Sequence, residues 1–185
     1  LKDAKNVDWE AISSDKDYIY VGDLGNNSGD RKNLKIYRLS IEDFLKKDKV
    51  KTKEIEFSYT NQTSFEKKPH STIFDAEAMV IVDDNIVLFS KNWESNICFI
   101  YSFPKVEGDY SIVPMDSIVL PGKVCGATYD SDKRNLLLIG HSFEPFVTRI
   151  PKFGILPLDK KSVYTTSLVV NTSFQTEGIA FSNNV

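Results

Sequence analysis

The chain has little that would announce a chemistry. Its 185 residues include two cysteines and two histidines. Cys98 and Cys125 both sit in apolar, strand-like runs, and no Cys/His spacing of the zinc type is present. They read as buried free thiols, and spacing alone leaves a disulfide between them open. Arginine is scarce: Arg31, Arg38, Arg134 and Arg149 stand among many lysines. The net charge of −3 and pI near 5.5 exclude non-specific nucleic-acid binding as a working class. No run approaches the ~18 consecutive apolar residues of a transmembrane helix. There is no G-x-S-x-G nucleophile elbow. The one glycine-rich stretch, "GDLGNNSG" at 22–29, is followed by neither a helical pattern nor Lys-Ser/Thr, which removes a phosphate-binding loop. The chain begins at Leu1 without Met or a leader and stops at "AFSNNV". Both ends read as cut, so a missing targeting signal carries no weight.

What the chain does have is a repeat. "VDWEAI" (7–12), "FDAEAM" (74–79), "KVCGAT" (123–128) and "QTEGIA" (175–180) align on Glu10, Glu77, Gly126 and Glu177, at intervals of 67, 49 and 51 residues. After the first three come a β-rich run ending in a polar turn, a third strand and a fourth. In the second repeat the fourth strand is expected at 111–120. Asn, Asp, Gly, Ser and Pro supply the turns, as hairpins require. Each unit is a four-stranded antiparallel meander, the sequence signature of a propeller blade. The expected fold is therefore an all-β β-propeller, a single domain over 1–185. Its blades are expected at 8–60, 75–120 and 124–170, with the first strand of the next at 175–182, in a ring of five or six. A sandwich built from the same strands is the rival. Two insertions lengthen the first interval: lysine-rich 41–53, solvated with a helical turn, and polar 61–73.

In a propeller the first strands line the channel, and the turns after the second strands share its mouth. This geometry gathers Asp8, Glu10, Asp75, Glu77 and Glu177 with Asp23, Lys91 and His141. Carboxylates so crowded need a divalent cation, Lys or Arg partners, or backbone amides. Calcium or another divalent ion is the cofactor that the oxygen-rich loop "DLGNNSGDRKN" (23–33) would suit. Asn/Gly/Ser turns form equally well without one. Asp23 and His141 are the candidate bases. Asp23, Asn26, Arg31, Lys91, Trp93 and His141 make up the candidate binding face. Trp9 and Trp93 are expected to pack at the mouth or between blades, or to stack on a sugar. His70 falls in the second insertion and is expected in solvent. Asn26, Asn61 and Asn171 each open an Asn-x-Ser/Thr triplet.

The combination "NVDWEAI…YIYVGDLGNNSGDRKNLKIYRL", "FDAEAM…LFSKNW…IYSFPK", "GATYD…LIGH" and "QTEGIAF" resembles a group of largely uncharacterised secreted β-propeller proteins of Bacteroidetes-type bacteria. More distantly, "TEGIAF" is similar to the Glu-Gly motif of phytase-like and gluconolactonase-like propellers. In the gluconolactonase-like enzymes that Glu binds a divalent metal. The resemblance implies a metal role for Glu177, and for Glu10 and Glu77 through the repeat. The third repeat departs from the pattern, with Gly126 at the anchor. Two functions follow as expectations. One is a secreted or surface-attached binding module, extracellular, periplasmic or on the outer surface, taking a protein or glycan partner. The other is a metal-dependent hydrolase of lactonase or phosphoesterase type.

Overall fold

A computed structural model describes residues 1–154, 157–168 and 175–182. The protein is all-β, with strands arranged in three sheets. The first contains β1 (Trp9–Ser14), β2 (Tyr18–Asp23), β3 (Lys35–Ser40) and β4 (Lys53–Tyr59). The second contains β5 (Ala76–Val82), β6 (Asn85–Ser90), β7 (Ile97–Pro104) and β9 (Pro114–Val119). The third contains β10 (Lys123–Asp130), β11 (Asn135–His141), β12 (Pro145–Ile150) and β13 (Tyr164–Ser167). All three are antiparallel meanders in chain order.

One strand leaves its meander. Residues 111–120 were expected as one fourth strand. Instead β8 (Gly108–Ile112) joins the first sheet, parallel to β4, with Ile55 opposite Gly108 and Tyr59 opposite Ile112. The break falls at Pro114, which has no N–H to continue a ladder. Ile112 is buried in the core of the first two sheets, and Tyr110 packs 5.7 Å from Phe103 between ring centres.

Two cores join the sheets into an open row. Tyr20, Ile36, Ile55, Met79, Leu88 and Tyr101 fill the space between the first and second sheets. Val80, Phe89, Ile100, Leu136, Leu138 and Phe146 fill the space between the second and third. The middle sheet is thus covered on both faces. That explains why "AEAMVIV" and "NIVLFS" read as nearly unbroken apolar runs, while outer β1 does not. Among the described residues the row does not close into a ring. Residues 175–182, expected as a further first strand, run without strand pairing. The end of the expected third unit, 169–170, and the Asn171 triplet lie outside the described residues.

The lysine-rich insertion contains α1 (Ile41–Lys46), capped by the Ser40 hydroxyl accepting from the Asp43 N–H at 3.3 Å. The first strands β1, β5 and β10 lie side by side, β5 between the other two. Each carries a bulge at the same place. The register shifts between Trp9 and Ala11, between Ala76 and Ala78, and between Val124 and Gly126. The extra residues are Glu10, Glu77 and Cys125. A bulge re-aims a side chain out of the alternating pattern, here toward the shared edge.

Candidate functional site: the acidic mouth

The bulges correct the repeat by one residue. Gly126 is the counterpart of Ala11 and Ala78, and Cys125 takes the place of the glutamates. Similarly, Asp23 faces Trp9 at the step that Ser90 and Gly140 hold in the other sheets, whereas Lys91, just after β6, and His141, the last residue of β11, lie one step further on. The wall of a cavity of about 130 Å³ shows the same phase. It is made by Glu10, Ala11 and Ile12, then Glu77, Ala78 and Met79, then Gly126 and Ala127, then Glu177, Gly178 and Ile179. The three glutamates singled out in the sequence therefore do converge. Gly126 is glycine because residues 177–178 run against it: an added Cβ would lie 3.1 Å from the Glu177 carbonyl oxygen and 3.2 Å from Gly178 Cα.

The second sheet's carboxylates are internally satisfied. Asp75, 1% exposed, accepts the Asn26 N–H at 2.7 Å and the Ala76 N–H at 3.0 Å on Oδ1, and the Trp93 indole N–H at 2.7 Å on Oδ2. Burial raises its pKa, and these donors oppose the rise. Glu77 accepts from the Lys91 ammonium at 2.6 Å, with both side chains largely buried. Its second oxygen, Oε2, is buried with no hydrogen-bond partner among the described residues. Burial lifts the Glu77 pKa against the pull of Lys91, with Asp75 and Glu177 adding to the rise. Burial alone would lower the Lys91 pKa, but Glu77 and its acidic neighbours hold it above its ordinary value.

Among the described residues Glu10 has no such partner. Its pKa is pushed up to about 8, first by burial, then by Glu77 and by its hydrogen bond and charge contact with Asp8. The Asp8 carboxylate fills the space a Cβ on Gly25 would need, which fixes glycine there. The Cys125 thiol is pushed up to about 12 by burial, with Lys91 opposing and Glu77 and Glu177 adding. It is protonated and non-nucleophilic at neutral pH.

The remaining mouth residues act as ties. Asp23 Oδ1 accepts the Asp8 N–H at 2.8 Å and pairs with Arg31 at 3.0 Å. Arg31 also donates to the Gly25 carbonyl at 2.7 Å. Asn26 is buried, its amide donating to the Phe74 carbonyl at 3.0 Å, so its triplet is closed to modification in the folded chain, whereas Asn61 is exposed. Asp23 is therefore engaged with Arg31 rather than poised as a base. His141 Nδ1 lies 3.5 Å from Cys125 Sγ, and among the described residues no carboxylate forms an ion pair with it. His70 is exposed but not adrift: its ring centre is 4.4 Å from that of Trp93. Lys91 and Lys123 lie over the same indole, at 5.0 and 5.5 Å. Trp93 therefore fastens the second insertion to the mouth rather than offering a bare stacking face. Sequence reasoning placed Cys125 as a buried thiol and His70 in solvent but did not anticipate the place of Cys125 at the shared bulge or the contact of His70 with Trp93.

Among the described residues no three His, Cys, Asp or Glu groups are set to hold one metal ion. No described helix is long and apolar enough to cross a membrane. Fold and site together define an all-β protein of three packed sheets whose first strands present an acidic mouth. No family model, no curated protein and no solved structure matches the chain.

Proposed function

We propose that the three sheets are successive blades of a β-propeller, and that the protein is a secreted or cell-surface binding module that works through the channel mouth. The observation that carries this reading is the fourfold wall of the cavity, built by matching residues from four segments one repeat apart. First strands sharing a wall are what a propeller axis requires. The wall presents the Glu10, Glu77 and Glu177 carboxyls, with Lys91 placed on Glu77. Such an excess of acid suits a small cationic group, for example a lysine side chain of a protein partner or the amine of an amino sugar. The resemblance to secreted propellers of Bacteroidetes-type bacteria supports a place at the cell surface.

A second reading, a divalent-metal-dependent hydrolase of lactonase or phosphoesterase type, is favoured by the same three glutamates. It asks Glu77 to leave Lys91 and Asp23 to leave Arg31. One comparison separates the two. On an array of lysine-containing peptides and amino-sugar glycans, the binding reading expects capture that Glu10→Gln and Glu177→Gln abolish, and no calcium effect on melting. If calcium raises the melting temperature of the wild type but not of Glu177→Gln, as a ligand of the folded state must, the metal reading replaces it. Absence of capture sinks the binding reading.

A further inference from the structure

Far from the acidic mouth in charge and composition, the α1 insertion leaves an apolar face uncovered. Ile41, Phe44 and Leu45 are spaced i, i+3, i+4 and so share one side of the helix. In a globular protein that stripe would be packed, yet no residue of α1 is buried. Phe44 is 54% exposed and Leu45 76%. The helix is nevertheless tied to the first sheet, where the Ile41 N–H donates to the Asp17 carbonyl at 3.0 Å, and its last turn is closed by the Lys47 N–H donating to the Asp43 carbonyl at 2.9 Å.

Lysine is frequent beside this face, with Lys16 and Lys46 next to Ile41 and Leu45, and in the segment that follows the helix. Residues 41–53 carry Lys46, Lys47, Lys49, Lys51 and Lys53 against Glu42, Asp43 and Asp48. Glu42 and Asp43 are neutralised by pairs with Lys46 and Lys47 at 2.7 and 2.8 Å. The Lys2 N–H donates to the Val50 carbonyl at 2.8 Å, which brings the N-terminal segment alongside Lys49 and Lys51. Lys16 lines a shallow hollow with Tyr18, Ile41, Leu45 and Lys46. Among the described residues Lys2, Lys16, Lys49 and Lys51 are exposed and make no ion pair. Lys53 pairs with Glu107 at 2.7 Å, and over residues 41–53 five lysines stand against three acids in a chain of net charge −3.

We infer that the Ile41–Phe44–Leu45 face and the lysines of its segment dock the protein on an anionic lipid bilayer. An exposed Phe-Leu pair entering the headgroup boundary, with ammonium groups on lipid phosphates, is how a peripheral protein combines apolar burial with surface charge. The charge complementarity selects an anionic surface, and the apolar pair selects lipid over a soluble polyanion, which would need the lysines alone.

The test is co-sedimentation of the whole chain with vesicles of phosphatidylglycerol in phosphatidylcholine, with pure phosphatidylcholine vesicles and soluble heparin in parallel. Binding to the anionic vesicles, weakened by salt and absent on neutral ones, is expected. Phe44→Ser with Leu45→Ser leaves the charge unchanged and is expected to weaken vesicle binding roughly tenfold or more. Lys49→Glu with Lys51→Glu is expected to abolish it. Both variants alter exposed residues and should melt with the wild type. No sedimentation of the wild type with anionic vesicles would overturn the inference. So would retention of full binding by the Phe44/Leu45 variant, or binding to heparin without binding to vesicles.

Discussion

Glu10 and Glu77 hold the same bulge position in neighbouring sheets and meet opposite surroundings. Glu77 has a buried ammonium 2.6 Å away, and behind it Asp75 receives three N–H donors. Glu10 is partly buried beside Glu77 and Asp8, with no ion-pair partner among the described residues, and its pKa is pushed up to about 8. The repeat supplies this acid to neighbouring strands, and of these two copies only Glu77 has a countercharge among the described residues. Lys91 falls just after β6, at the position the first sheet gives to Leu24. The difference arises from one residue outside the repeated strand, and it divides the mouth into a locked half and a titratable half.

The largest effect should come from removing that countercharge. Lys91→Met leaves Glu77 buried without its partner, and a loss of about 3–5 kcal/mol in urea unfolding is expected, as for other broken buried pairs. Adding Glu77→Gln should restore much of it. If the single change costs nothing, the pair does not lock the mouth. Next comes Asp75→Asn. The new amide cannot accept from both sides, so the Trp93 indole or a backbone N–H loses its acceptor. An unfolding cost of about 1–3 kcal/mol is expected, with Trp93 fluorescence shifting as the indole is released. Smaller again is Gly126→Ala. Its Cβ would meet Ile139 Cγ2 at 3.0 Å and the 177–178 backbone. About 1 kcal/mol of overpacking is expected, with hydrogen exchange quickening at 177–179. Ala11 and Ala78 already carry that Cβ, so a neutral Gly126→Ala would mean that 177–178 does not run against β10.

Much of this architecture could be read from the chain, and the parts that could not share a cause. Hairpin turns and alternating strands are local signals, and they place twelve of the strands within their sheets. The convergence of Glu10, Glu77 and Glu177 followed from the repeat alone. The bulge did not: it adds a residue without changing composition, so "KVCGAT" aligned one place off and put Gly126 where Cys125 belongs. Nor did the departure of β8, because Gly108–Ile112 reads as a strand whichever sheet it joins. The commitments of Asp23 to Arg31 and of Trp93 to Asp75 are contacts across 8 and 18 residues, set by loop shapes that no periodicity encodes. Through those contacts Asp23 pairs with Arg31 and Asp75 accepts from Trp93.

The mildest prediction bears most directly on the titratable half. The folded-state pKa of Glu10, about 8, lies above its ordinary value of 4.5. Between those two pH values the folded chain holds a proton that the unfolded chain has released, so stability falls as pH rises through this window. Below it the contribution is fully present, and above about pH 8 it is gone. Glu10 is only half-buried, and solvent screening reduces the effect. A decline in melting temperature of about 2–4 °C from pH 5 to pH 9 is therefore expected from this group. Glu10→Gln keeps the shape and a hydrogen-bonding amide but cannot ionise, and it should flatten that part of the profile. Glu77→Gln should flatten it only in part, because the Glu77 charge helps to hold the Glu10 proton and the Glu77 carboxyl is itself raised by burial. A profile unchanged by Glu10→Gln would show that the two glutamates share one countercharge after all.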